Sequence, residues 1–106
     1  MKFAVIVVDM LKDTYDGPSD HQIIQGFPAI IPSLQFLHAE AKKAESLIVF
    51  ACDSYFREDF LFKGKMPHHA IRWTRGAEVI EELPILLVDV VLPKKRFSAF
   101  FKTAWI

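Results

Sequence analysis

Three short apolar runs constrain the fold of this 106-residue chain more than any other feature of the sequence. They span residues 3–8, 47–51 and 86–92. The first two are continuously apolar, and the first is rich in β-branched residues rather than alternating with polar ones. Such runs are typical of strands that are covered on both faces, as in parallel sheets. We therefore predict three parallel strands.

The segments between these runs supply the connections that a parallel sheet needs. A polar loop at 17–20 precedes an amphipathic pattern over 30–43, which predicts a helix with Pro28 and Pro32 in its first turns. A second, short helix is predicted at 76–83, where Pro84 stops it. Strand, helix and strand within about 50 residues form a βαβ unit, so the fold class is α/β.

Ionisable residues follow each run, at what would be the carboxyl edge of the sheet. They are Asp9, Asp53 and Lys94. Functional groups of open parallel sheets gather at this edge, so we expect these side chains to meet there. Asp9 is either a partly desolvated general base or a solvated cap, and Lys94 either stabilises an oxyanion or belongs to a solvated basic turn.

Other candidate residues carry weaker signals. Segment 54–75 shows neither the hydrophobic periodicity of a helix nor that of a strand, and it is interpreted as a long irregular segment that carries function. Asp53 with His68 and His69 suggests a metal site, although no metal-type histidine spacing occurs. Cys52, at the end of an apolar strand, is interpreted as a packing residue, and His38 as a surface residue of the helix.

Composition excludes several classes of function. Thirteen basic residues balance thirteen acidic ones at pI ≈ 6.9, so we expect no nucleic-acid partner. The apolar runs are far shorter than the roughly 20 residues of a membrane helix, so we expect no membrane partner either. A single cysteine fits a reducing cytoplasm. Ten Phe, two Trp and two Tyr are a large aromatic load, which implies a partner surface or a larger domain.

Six stretches of the sequence, taken in order, carry a family resemblance. They span residues 4–13, 30–34, 49–53, 67–72, 76–80 and 94–101. Together they resemble the isochorismatase-like cysteine hydrolases, the superfamily that includes nicotinamidases and related amidases. The resemblance implies a three-layer Rossmann-like parallel sheet, here cut to about three strands and their helices. It also implies that residues 1–106 are a single, incomplete domain, the amino-terminal portion of the family's fold.

The resemblance assigns roles to particular positions. Asp9 matches the aspartate that deprotonates a nucleophilic cysteine, and Lys94 matches the lysine that polarises the pair. Asp53 and His69 match two metal-holding positions of nicotinamidases, but the intervening histidine falls at Tyr55. We therefore place these three residues in the substrate pocket and expect no cofactor, a divalent metal at Asp53 and His69 being the alternative.

The catalytic cysteine of the family lies downstream of the lysine motif, and Cys52 does not match it. The leading hypothesis is a hydrolase of a small-molecule amide or related C–N bond whose cysteine is missing from these residues. The alternative is a catalytically silent domain that associates with itself or a partner through an open sheet edge. On either hypothesis we expect a homo-oligomer.

Overall fold

The computed structural model describes residues 3–15 and 22–100, which form one parallel sheet with helices. The strands are β1 (Ala4–Val8), β2 (Leu47–Asp53) and β3 (Val90–Lys94). They follow the order β1-β2-β3 across the sheet, and both neighbouring pairs are parallel. The predicted α/β class is therefore confirmed, while the predicted loop at 17–20 and the last motif residue, Phe101, lie outside the described ranges.

The connections include a long helix between β1 and β2. The elements are α1 (Lys12–Tyr15), α2 (Gln22–Lys43) and two 3₁₀ turns, Phe60–Phe62 and Arg75–Ala77. α2 begins earlier than predicted, so Pro28 and Pro32 lie inside it and not in its first turns. The side chain of Phe27 is buried in the core, and its packing there stabilises a helical turn ahead of the predicted start at residue 30. None of the helices in the described ranges is long and apolar enough to cross a bilayer.

One face of the sheet packs against α2 and forms the core. Ile48 and Phe50 of β2 are 1% and 0% exposed. They belong to one apolar cluster with Val7 of β1 and with Phe27 and Ile31 of α2. Burying each large apolar side chain contributes about 1.5–3 kcal/mol, so this layer fixes α2 across β1 and β2.

The opposite face of the sheet is only partly covered by the described residues. Ile6 and Val8 of β1 are 48% and 50% exposed, and Val90 of β3 is 41% exposed. Val49 and Ala51 of the central strand β2 are buried. The prediction of strands covered on both faces is therefore right for β2 and wrong for β1. Apolar patterning reports what a strand is able to bury, and not which element is present to cover it.

The third strand begins later than the apolar run predicts. Residues 86–89 form a turn in which the Leu86 N–H donates to Asp89 Oδ2 at 2.8 Å and the Asp89 N–H donates to the Leu86 carbonyl at 3.0 Å. The same Oδ2 lies 3.5 Å from Lys42 Nζ of α2. Because the buried Asp89 side chain fixes this turn, the strand runs from Val90 to Lys94 and not over 86–92.

The predicted helix at 76–83 is wrong. Only Arg75–Ala77 is helical, as a 3₁₀ turn. The following residues form an antiparallel bridge between Val79 and Leu11, and flanking N–H groups donate across it at 2.9 and 3.0 Å. These main-chain groups bond to the segment after β1, so they are not available for helical hydrogen bonds.

The prediction that His38 is a surface residue is also wrong. The side chain is 7% exposed, its ring centroid lies 6.1 Å from that of Phe50, and its Nε2 has no hydrogen-bond partner among the described residues. The chain beyond 82 covers this side of α2, where Gln35 Nε2 donates to the Glu82 carbonyl at 3.2 Å. Burial, followed by the positive charge of Lys42, lowers the pKa of His38 below its ordinary value.

Candidate active site

Lys94 lies at the centre of a charged cluster at the carboxyl ends of the three strands. The register of β3 places it beside Asp53, the last residue of β2. Its Nζ lies 2.6 Å from Asp53 Oδ1 and 3.1 Å from Asp9 Oδ2. It also donates to the carbonyls of Arg96 and Phe97 at 3.3 and 3.2 Å. With these acceptors around it and 1% of its side chain exposed, the ammonium is held in one position.

Asp9 follows β1 and turns its carboxylate towards the neighbouring strand. Its φ of 56° lies in the left-handed region, which aspartate tolerates better than most residues. Its N–H donates to the Ala51 carbonyl at 2.9 Å, and its Oδ1 accepts the Asp53 N–H at 3.0 Å. The second oxygen, Oδ2, is thereby left to Lys94. The three residues that the sequence places at one edge are in contact.

The charges of this cluster shift the pKa values of its members. Burial, followed by the negative charge of Asp53, raises the pKa of Asp9 despite the nearby ammonium of Lys94. Burial alone would lower the pKa of Lys94, but its bonds to Asp53 and the charges of Asp53 and Asp9 outweigh burial and raise it. The Asp9 side chain is 35% exposed and that of Asp53 14%. An accessible carboxyl with a raised pKa beside a fixed cation is suited to accept and return a proton.

Tyr55 continues the line of β2 beyond Asp53 and is 0% exposed. Its N–H donates to the Ala70 carbonyl at 2.9 Å and its carbonyl accepts the Arg72 N–H at 2.8 Å, in a parallel bridge with Ile71. The hydroxyl is buried, with no hydrogen-bond partner among the described residues. Burial, followed by the charge of Asp53, raises the pKa of Tyr55, so the phenol stays protonated at neutral pH.

His69 packs against Tyr55, while its neighbour His68 does not. The His69 ring lies edge-on to the rings of Tyr55 and Phe62 at centroid distances of 5.6 and 5.7 Å, and its Nδ1 is 2.9 Å from the Pro67 carbonyl. His68 is exposed and stacks on Phe62 at 4.6 Å. Within residues 3–15 and 22–100, no group of three His, Cys, Asp or Glu side chains could hold a metal ion.

Cys52 lies on the opposite face of the sheet from its neighbour Asp53, because successive side chains of a strand alternate. It is 4% exposed within the core cluster. Burial, followed by the charges of Asp9 and Asp53, raises its pKa to about 12. A thiol in this state does not ionise at neutral pH, in agreement with the packing interpretation. A groove of about 270 Å³ on this face includes Cys52 and Trp73 but not Asp9 or Lys94.

A family model described as the Isochorismatase domain matches residues 3–105. The chain belongs to the isochorismatase family. The resemblance that the six sequence stretches indicate is thereby confirmed. A search of curated proteins finds no match for this isochorismatase domain.

Solved structures share the fold of this isochorismatase domain. N-carbamoylsarcosine amidase from Thermoplasma acidophilum superposes with a TM-score of 0.84 at 24% identity, over 97% of this chain and 57% of that chain. An isochorismatase-like hydrolase from Alkaliphilus metalliredigens gives 0.84 at 28% identity, over 97% and 57%. Pyrazinamidase of Pyrococcus horikoshii, solved in complex with zinc, gives 0.79 at 26% identity, over 94% and 59%. The present chain therefore spans less than two thirds of the length of each of these relatives.

Asp13 anchors the loop beside the site, a role that the sequence pattern does not reveal. Its Oδ2 accepts the Ala70 N–H at 2.7 Å. Gly76 packs so closely against this carboxylate that a Cβ there would overlap it. Ala70 and Trp73 adopt positive φ values of 49° and 67°, so this isochorismatase domain needs an anchor at the loop. The one available sequence signal is Gly76, which leaves room for the carboxylate.

Proposed function

We propose that this chain supplies two catalytic groups, Asp9 and Lys94, to a hydrolase of a small-molecule amide or a related C–N bond. The buried ammonium of Lys94, in contact with both the Asp9 and the Asp53 carboxylates, carries the proposal. Membership of the isochorismatase family supports it, and two of the similar structures are of an amidase and a pyrazinamidase. Residues 1–106 form the amino-terminal portion of one domain in this proposal.

The nucleophile in this proposal is the cysteine that the family resemblance places downstream of the lysine motif, outside residues 1–106. Asp9 takes the proton of that thiol as the sulfur attacks the amide carbonyl. It then gives the proton to the leaving amine as the C–N bond breaks. Water attacks the resulting thioester, Asp9 accepts a proton from it, and the acid is released as the thiol is restored. The fixed charge of Lys94 stabilises the thiolate and the oxyanion at each stage.

Asp53 and the residues after β2 have supporting roles in this proposal. Asp53 keeps Lys94 charged and directed at Asp9 through the 2.6 Å contact. Tyr55 and His69, packed edge-on against each other, form one side of the substrate pocket. The substrate is a small amide or a related C–N compound, in line with the named activities of the similar structures. The single cysteine is unpaired and buried, which supports a cytoplasmic location.

Ammonia release from a panel of small amides tests this function. The panel includes pyrazinamide, nicotinamide and N-carbamoylsarcosine, and the catalyst is a hybrid of residues 1–106 with the downstream part of the Alkaliphilus hydrolase. We expect turnover by the hybrid and a loss of at least about 100-fold in kcat for Asp9→Asn or Lys94→Met, the usual size of a general-base contribution. Lys43→Met, which removes an exposed lysine of α2, is the matched control. Full activity of the Asp9→Asn hybrid would refute the mechanism.

The exposed edge of β1 supports a second candidate function, self-association. β1 pairs only with β2 among the described residues, and Phe3, Ile6 and Val8 along it are 63%, 48% and 50% exposed. An unpaired, uncharged strand edge invites addition of another strand. In this candidate, two copies of the chain pair through β1 and form a homo-oligomer.

Sedimentation velocity of the 106-residue chain tests self-association. We expect a dimer that Ile6→Lys converts to a monomer, because the lysine would place a charge in the joined apolar face. Leu87→Lys, at a fully exposed residue of the turn before β3, is the matched control and is expected to leave the dimer intact. A well-dispersed wild-type monomer would rule this candidate out.

A further inference from the structure

The zinc-bound pyrazinamidase raises the question of whether the present chain also holds a metal. The family resemblance places Asp53 and His69 at two ligand positions and Tyr55 at the third. Zinc in proteins is bound by thiolate, imidazole and carboxylate groups, and a protonated phenol is none of these. The residues of this chain therefore do not fit a zinc ion at this position.

The hydrogen bonds of Asp53 and His69, the two remaining candidate ligands, leave few atoms free to bind zinc. Asp53 Oδ1 is engaged by Lys94 Nζ at 2.6 Å, so a cation there would compete with the ammonium. His69 donates its Nδ1–H to the Pro67 carbonyl at 2.9 Å, which leaves Nε2 as the one ring nitrogen able to bind a metal. A single imidazole and a shared carboxylate are fewer ligands than a stable zinc site uses.

The Tyr55 hydroxyl is a buried hydrogen-bond donor without a partner among the described residues. It is fully buried, and among the described residues no acceptor meets it at hydrogen-bond geometry. A buried donor left unpaired loses its hydrogen bonds to water without replacement, so a nearby acceptor is strongly favoured. Asp53 is the carboxylate whose charge affects the phenol most. Side chains two residues apart on a strand also lie on the same face, which brings Asp53 and Tyr55 to one side.

We infer that this chain takes no divalent metal at Asp53 and His69, and that Tyr55 is a positioning residue whose hydroxyl donates to Asp53 in the metal's place. A neutral donor holds the Asp53 carboxylate without adding positive charge, so the carboxylate keeps its interaction with Lys94. The inference rests on the proposed function only in treating Asp53 as part of the pocket. Both readouts below are made without substrate, so their failure is distinguishable from failure of the hydrolase test.

Zinc binding to the 106-residue chain tests the metal half of the inference, by competition with a chromophoric chelator at micromolar free zinc. We expect no stoichiometric binding by the wild type. Tyr55→His restores a third ligand and is expected to tighten zinc binding by at least about tenfold. The double variant Tyr55→His, His69→Ala is expected to lose that gain. Tyr55→Phe, which adds no ligand, is the matched control.

The carboxyl ¹³C signal of Asp53 at neutral pH tests the positioning half. Tyr55→Phe is expected to shift this signal, because it removes the hydroxyl alone, while Tyr15→Phe at an exposed tyrosine leaves the signal unchanged. Stoichiometric zinc in the wild type that Asp53→Asn abolishes would overturn the inference. A folded Tyr55→His variant without a gain in zinc binding, or an unshifted Asp53 signal in Tyr55→Phe, would overturn it too. If Tyr55→His does not fold, the wild-type titration and the Tyr55→Phe spectrum decide.

Discussion

Replacing Lys94 with methionine removes a buried cation that is in contact with two carboxylates. The Nζ atom lies 2.6 Å from Asp53 and 3.1 Å from Asp9, with 1% of the side chain exposed. At an effective dielectric constant of about 20, each contact is worth about 5–6 kcal/mol, and desolvation of the ions offsets much of that gain. Breaking a buried pair by removing one partner costs about 3–5 kcal/mol. We expect the free energy of unfolding at pH 7 to fall by this amount in Lys94→Met.

The pH dependence of the loss gives the prediction a second, independent check. Without the ammonium, burial and the charge of Asp53 both raise the pKa of Asp9 further above its ordinary value of 3.8. A carboxyl whose pKa is higher in the folded state binds its proton more tightly there, so acidification favours folding at this group. The difference between variant and wild type is therefore largest near pH 7 and shrinks as the pH falls towards 4.

Urea denaturation followed by circular dichroism measures this difference at both pH values. Lys43→Met is the control, because Lys43 is 75% exposed and its ion pair with Glu40 lies on the surface of α2. Such a pair contributes about 0.3–0.5 kcal/mol. A loss below about 1 kcal/mol in Lys94→Met at pH 7, or an equal loss at pH 4, would refute the electrostatic reasoning.

Three other features give predictions of their own. Gly76→Ala is expected to cost about 1–3 kcal/mol in urea denaturation, because the added methyl displaces the Asp13 carboxylate, whereas Gly64→Ala, with nothing within 4 Å, is nearly neutral. The Tm of the wild type is expected to decline as the pH falls below 6.5, because burial lowers the pKa of His38 in the folded state and the unfolded chain binds the proton more tightly. His38→Leu is expected to remove this dependence of Tm on pH. An unchanged pH dependence in His38→Leu would contradict the role of His38. Iodoacetamide at pH 8 is expected to label Cys52 about 10³-fold more slowly in the folded than in the denatured chain, because burial raises the thiol pKa from 9.0 to about 12; equal rates by mass spectrometry would contradict this.

The edge of the sheet that carries the charged cluster could be predicted from the sequence, because it depends on local patterns. Each short apolar run reports a strand, and parallel strands bring the residues after them to one edge. This reasoning needs no knowledge of side-chain contacts, and the structure places Asp9, Asp53 and Lys94 together. The 2.6 Å contact itself depends on register, which the runs alone do not specify.

The errors share a physical cause, which is pairing between segments distant in the sequence. The residues after 77 resemble a helix, yet Val79 pairs with Leu11. Leu86 and its neighbours resemble the start of a strand, yet Asp89 bonds to Leu86 and to Lys42 and holds a turn there. Leu11 and Lys42 lie outside the periodic windows from which the two elements were predicted, so these tertiary contacts override local preference.

The register of β3 also determines where insertions and deletions are tolerated. Lys94 lies four positions after Val90, an even offset that keeps these two side chains on one face, and the register pairs Lys94 with Asp53. A single residue inserted within β3 would move the lysine side chain to the face that carries Cys52, away from both carboxylates. An insertion at 63–65, in an exposed bend outside the strands, would leave this alignment unchanged. Length variation among active relatives is therefore expected in that bend, and a constant spacing between the turn at 86–89 and the lysine.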